Sequence, residues 1–452
     1  MKTLLSSLLL LLITASQGHA QQKVEVSYLE ETELVSIVAH LAEIPGYTWN
    51  EEALPDYMAE LDSVFAPYKE HPAVRYAQEE LMNDGFNWHF PIEVALRLRI
   101  QEGKVAFDPT IVPDYNDYYD RIKQIKEKKF VELLQQFYDE TPFRPFYKAH
   151  QPLYQECEQA MQKVVDTIDF GWYDSFFGPR GNKHFNICLG ILIGPANYAI
   201  NKMHKDGSET IYAMMGCCDR DKNGQIYYGE AYTIPIIIHE CNHSYCNPLN
   251  EQHWTSIEKK AKELFTPNAK FYASIAYGSP LYVMNETFVE ACVIRYLMQH
   301  PIDMNGYTLE DLIEMDETQK KFVLIRDIIK VLEEREAHPD LYPTMADFMP
   351  RYIQTVNAFE LPQDTLRANN VEGFSPCLAT LVPDNTPAVR KNDYFYSSVV
   401  FDFWRNQNNR IALTPAIEAS ANFSFAQKVL SDSNIFHTCY DTLFTSGCRP
   451  SE

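Results

Sequence analysis

An α+β fold is the class that this sequence predicts. Three features carry the expectation: helix-period apolar patterning over residues 25–175, two apolar runs of strand length at 184–194 and 209–216, and helical patterning again over 255–360. The chain is expected to divide into a cleaved leader (1–20), a mainly helical N-terminal region (21–178), a core with a small sheet and two site helices (179–372), and a small β-rich module (373–452).

The leader comes first. In MKTLLSSLLLLLITASQGHAQQ, Lys2 precedes an apolar run that closes on Gly18-His19-Ala20. That is the pattern of a secretory signal, too short to span a membrane. No second apolar run approaches spanning length, so the chain from Gln21 onward is expected to be soluble and exported, to the periplasm or beyond the cell. No cysteine follows the cleavage point, which argues against a lipid anchor. A formal net charge of −23 opposes nucleic-acid phosphates and anionic membranes as partners. Ten cysteines suit an oxidising compartment, although their spacing is no framework. Cys439 and Cys448 are placed to close a C-terminal loop, whereas Cys241, Cys246 and Cys292 lie in apolar helical contexts and read as core thiols.

In the N-terminal region Leu34, Ile37, Val38 and Leu41 recur at helical spacing, as do Ile122, Ile125, Phe130, Leu133, Leu134 and Phe137. Pro45, Pro55, Pro72, Pro91, Pro113 and Pro142 punctuate these helices. Gly178-Pro179-Arg180-Gly181 marks the boundary. HFNICLGILIG (184–194) then reads as a buried strand turned at Gly194-Pro195, and ETIYAMMG (209–216) as another, whose edge is open to pairing with an extended peptide. Beyond Gly373, YFYSSVVFDFW, RIALTPAIEA and ANFSF read as short strands of a sandwich-like module.

DRDKNGQIYYGE (219–230) supports two readings. Asp219, Asp221, Asn223 and Glu230 fall at positions 1, 3, 5 and 12 of a twelve-residue Ca2+ loop, with Gly224 at position 6. Its flanks read as strands, however, and Asp221-Lys222-Asn223-Gly224 is equally good hairpin-turn chemistry.

IIIHECNHSYCNP (236–248) follows. Thr233 can cap a helix with Pro235 in its first turn, and Asn247-Pro248 stops it. His239 and His243 are then one turn apart on one face, so both imidazoles reach one ion. Glu240 is turned about 100° away and can sit beside the metal as a base. Histidines on an ordinary core helix are the competing reading. A catalytic zinc needs a third protein ligand and one open position. MNETFVEACVIRYLMQH (284–300) supplies candidates: Glu286 and Glu290 share a face, one able to bind metal while the other accepts a ligand histidine's second N–H. An acidic stripe paired for structure alone is the alternative.

HECNH followed by NETFVE resembles the gluzincin class of zinc metallopeptidases, the group that includes thermolysin. The chain as a whole also resembles a group of secreted bacterial proteins known as a domain of unknown function. The gluzincin resemblance implies a zincin-like core, a bound Zn2+, His239, His243 and Glu286 as ligands, Glu240 as general base, and Glu290 orienting His239. The interval from His243 to Glu286 is longer than in the best-known gluzincins, implying an inserted helix near 255–265. The downstream residue that stabilises the transition state has no clear match. Tyr277 is the candidate because it precedes the glutamate helix, with Tyr245 and Tyr282 as competitors. The activity so implied is hydrolysis of peptide or protein substrates by a secreted enzyme. The alternative is a catalytically inactive secreted binding or adhesion protein on a retained peptidase scaffold.

Overall fold

Three parallel strands and one antiparallel edge strand form the sheet on which the site is built. The computed structural model describes residues 24–48, 53–82, 85–112, 127–179, 181–216, 218–275 and 277–361. The expected leader and the expected β-rich module, with Cys439 and Cys448, lie outside the described residues.

Strand β1 (Glu25–Ser27) leads into helix α1 (Glu30–Leu41). Helices α2 (Pro55–Phe65), α3 (Pro72–Tyr76) and α4 (Phe90–Ala95) precede a hairpin of β2 (Leu98–Gln101) and β3 (Lys104–Phe107). Its turn residues Glu102 and Gly103 take φ of 52° and 80°, the left-handed pair that matches a two-residue hairpin to the strand twist. Helices α5 (Glu127–Glu140), α6 (Phe143–Val165) and α7 (Trp172–Phe176) come next, then β4 (Lys183–Leu189), β5 (Tyr198–Met203) and β6 (Glu209–Met215).

The sheet order is β1-β4-β6-β5. Val26 stands opposite Ile187 and Ile187 opposite Ala213 in parallel register, while Ala199 meets Ala213 in the antiparallel pair. The inner strands are apolar runs, Ile187 to Leu189 and Ala213 to Met215, buried as strands covered on both faces are. Strand β6 therefore has a neighbour on each side, and among the described residues the edge strand beside it is β5. The expected boundary at residue 178 is crossed as well. Strand β1 takes its partner from beyond it, and one apolar core runs from Val24 to Val356. A strand of three residues has too few contacts to be held by its own region.

Strands β7 (Asp219–Arg220) and β8 (Ile226–Tyr227) form a small hairpin that feeds helix α8 (Glu230–Gln252). Helices α9 (Trp254–Phe265), α10 (Ala269–Ser274), α11 (Pro280–Gln299), α12 (Leu309–Thr318), α13 (Ile325–Ala337) and α14 (Met345–Ala358) complete the described chain. The class is α+β, and α9 is the helix expected between the two motifs. Helix α8 is longer than expected: Gly229, not Thr233, is its N-cap, and it runs through Pro235 and Pro248. Each proline costs roughly 3 kcal/mol in an isolated helix. Burial of Ile234, Ile237, Ile238, Cys241 and Cys246 against β5, β6 and α11 offsets that.

Helix α11 starts at Pro280 in the first helical position, with Ser279 accepting a hydrogen bond from the Tyr282 N–H at 3.2 Å. It is enclosed by α8, α9, α12 and α13 and is buried nearly all round, which sets its register against α8. Two polar contacts fix that register. Asn242 Nδ2 donates to the Val289 carbonyl at 3.3 Å, and Asn250 Nδ2 to Asn285 Oδ1 at 3.1 Å. Asn242 and Asn285, both within glycosylation sequons, are buried and closed to a glycan.

Candidate metal centre

The i,i+4 spacing on α8 puts the Nε2 atoms of His239 and His243 at 3.1 Å from each other, with the rings at 84°. Both Nδ1 atoms are engaged on the outer side. His243 Nδ1 meets Asn247 Oδ1 at 3.2 Å, and His239 Nδ1 meets Glu290 Oε1 at 3.3 Å. Those oxygens accept, so the hydrogen bonds place each hydrogen on Nδ1 and leave each Nε2 lone pair facing inward. Two such lone pairs repel unless a proton or a cation lies between them.

Helix α11 carries the carboxylates to the same point. Glu286 Oε2 lies 3.6 Å from His239 Nε2, and its Oε1 lies 3.7 Å from His243 Nε2, so one carboxylate straddles both rings. Glu240 is buried beside them, and the ligand atoms of His239, Glu240 and His243 fall within 4.8 Å of one another. These three form a group able to hold a metal ion. Among the described residues no other group of His, Cys, Asp or Glu converges in this way. Burial pushes the Glu240 pKa above its ordinary value; the two imidazoles pull it back, and the Glu286 and Glu290 carboxylates add to the rise. A carboxylate so placed is a better proton acceptor than one in water.

Glu290 is held differently from Glu286. Its Oε1 binds Lys320 Nζ as well as His239, and Lys320 is also 2.9 Å from the buried Asp316. Burial would raise the Glu290 pKa, but Lys320 first and His239 next hold it well below the usual carboxylate range. For Asp316 burial outweighs Lys320 and pushes its pKa up to about 7. Burial opposes a charge on His239, yet Glu290 above all, then Glu240 and Glu286, push its pKa up to about 9.

Tyr277 joins the site, its hydroxyl donating to Glu286 Oε2 at 3.3 Å. Its two competitors do not. Tyr245 packs in the core against Tyr173 and Phe177, and Tyr282 is exposed.

The hairpin reading of residues 219–230 is the one the structure shows. Asp221 accepts from the Asn223 and Gln225 N–H groups at 2.8 and 2.9 Å, and Gly224 N–H donates to the Asp221 carbonyl. Asp221 thus spends its carboxylate on the turn, and Glu230 opens α8. Asp219, Asp221 and Glu230 do not converge as cation ligands.

Four positioning groups escaped the sequence reading: Asn247, Lys320, Asp316 and Asn201, which accepts from Ser244 Oγ at 2.5 Å and ties α8 to β5. Asn247 carried a signal, lying four residues past His243 on the same helical face. Lys320 carried none, because its contact with Glu290 spans 30 residues. No helix of the described residues is long and apolar enough to cross a membrane.

No curated protein and no solved structure matches this chain. Residues 48–355 match the family model described as Domain of unknown function (DUF4932), which covers more than half of the 452 residues, and the chain belongs to that family.

Proposed function

We propose that this protein is a secreted zinc metallopeptidase. The observation that carries the proposal is the convergence of two inward-facing imidazole nitrogens with two carboxylates, Glu286 straddling both rings and Glu240 within 4.8 Å of a ring nitrogen of each histidine, of which we assign Glu286 to the metal and Glu240 to the base. Two nitrogens and one carboxylate are a donor set that suits zinc and leaves a position open. The resemblance of HECNH and NETFVE to gluzincins points the same way.

His239, His243 and Glu286 would hold the zinc, which would supply a Lewis acid able to acidify water and polarise a carbonyl. The chain does the rest. Glu240 accepts the proton of the attacking water and delivers it to the leaving nitrogen, a task its raised pKa suits. Glu290, anchored by Lys320, holds His239 in the tautomer that binds through Nε2. Tyr277 stands within hydrogen-bond reach of Glu286 and is the donor available to a developing oxyanion. An extended peptide pairs with the edge of β5, which α8 packs against. At the Met203 end of that edge, the Val112 N–H donates to the Met203 carbonyl, so among the described residues the stretch left to a peptide lies toward Tyr198.

The test is Glu240→Gln. It keeps the volume and the metal ligands and removes the base, so bound zinc stays at the wild-type level while hydrolysis of an unfolded protein substrate falls by about 10²–10⁴-fold. A variant as active as wild type removes the mechanism. A wild-type protein that holds zinc but cleaves nothing leaves the binding-protein alternative in its place.

A further inference from the structure

Cys246 on α8 and Cys292 on α11 bring their sulfurs to 3.8 Å. Cys246 stands just past His243 and Cys292 just past Glu290, so the contact lies one helical turn or less beyond the metal centre. Both thiols are fully buried. We propose that Cys246 and Cys292 are a disulfide-forming pair that cross-links the two helices carrying the site.

A sulfur–sulfur bond is about 2.05 Å, so the remaining gap is one that two facing side chains can close. Helix α11 is enclosed on several sides and α8 packs along it, so no small oxidant reaches the sulfurs once both helices are in place. Burial, and the neighbouring sulfur and Glu336 with it, hold the Cys292 thiol well above its ordinary pKa, which keeps the packed pair unreactive. The cross-link therefore forms during folding, before α8 and α11 close. One thiolate attacks a donor disulfide, either oxidised glutathione or a protein disulfide, and releases one donor thiol. The second cysteine then attacks the mixed disulfide and releases the other. The two protons lost by the cysteines end on the two released donor thiols, and the two electrons lost by the cysteines reduce the donor disulfide. The product pins His239 and His243 to Glu286 and Glu290 through a loop of 46 residues.

The cross-link does not depend on the metal reading, and its test needs neither metal nor activity. The full chain is exported to the periplasm of a bacterial host, alkylated under denaturing conditions without reductant, digested and analysed by mass spectrometry. The expected result is a linked peptide pairing Cys246 with Cys292 that separates on reduction. Complete alkylation of both cysteines, or pairing of either with a different cysteine, overturns the proposal. A second measurement checks the timing: oxidised glutathione added to protein already folded in the reduced state produces no such link. Rapid linking there overturns the claim that burial protects the pair.

Discussion

The free nitrogen on each histidine is the residue-scale fact that matters most. Asn247 and Glu290 occupy the two Nδ1 positions, and an imidazole so held presents Nε2 without rotating. Tyr277 is the residue whose role separates catalysis from support. Tyr277→Phe removes one hydroxyl and keeps the ring that stacks on Phe322, so folding and bound zinc are unchanged. The expected loss is in kcat, about 10²-fold, with KM little altered, as for an oxyanion donor. Equal activity in the variant would leave Tyr277 as a buttress of Glu286 alone. These residues differ in how legible they were. The i,i+4 pairs His239–His243 and Glu286–Glu290 are written in helical spacing, and so is the His243–Asn247 contact once it is looked for. Lys320 and Asp316 reach the site from the end of α12, through a turn that no local pattern announces.

Among the elements, the long apolar helices were the readable part. Leu34, Ile37 and Val38 on α1, and Phe130, Leu133 and Phe137 on α5, are buried as their spacing requires. The short strands were not readable. EVS in β1 has no room for a period, and YAINKM in β5 breaks its alternation with polar residues; both are strands because neighbours supply their hydrogen bonds. Glu33 on α1 is an element-scale joint. It is fully buried and accepts hydrogen bonds from Tyr28 at 2.5 Å, from Tyr57 on α2 and from Tyr154 on α6 at 3.3 Å. Burial raises its pKa above 4.5 despite the three phenols, which pull the other way. The folded state therefore holds a proton that the unfolded chain has released. This contribution to stability is complete below the unfolded pKa and is lost as pH rises through the folded value. Glu33→Gln should flatten that fall in melting temperature above pH 4.5. An unchanged pH profile would place the dependence elsewhere.

At the scale of the described residues, β1 and the apolar core cross the boundary expected at residue 178, and we propose that the N-terminal region and the site-bearing region fold as one unit. The pairing of β1 with β4 and the continuous core from Val24 to Val356 leave neither half with a closed surface. A fragment of residues 179–361 should show no cooperative thermal transition, whereas residues 24–361 should show one. A sharp transition in the shorter fragment would restore the boundary.

The most direct test of the metal centre is zinc per folded chain in the wild type, Glu286→Ala and Glu290→Ala, measured by elemental analysis after confirming cooperative unfolding of each. The proposed zinc site predicts close to one zinc in the wild type, none retained in Glu286→Ala, and weakened binding in Glu290→Ala, about 10–100-fold for loss of an orienting partner. A folded wild type that holds no zinc would contradict it, and would leave His239 and His243 as a proton-sharing pair on a core helix.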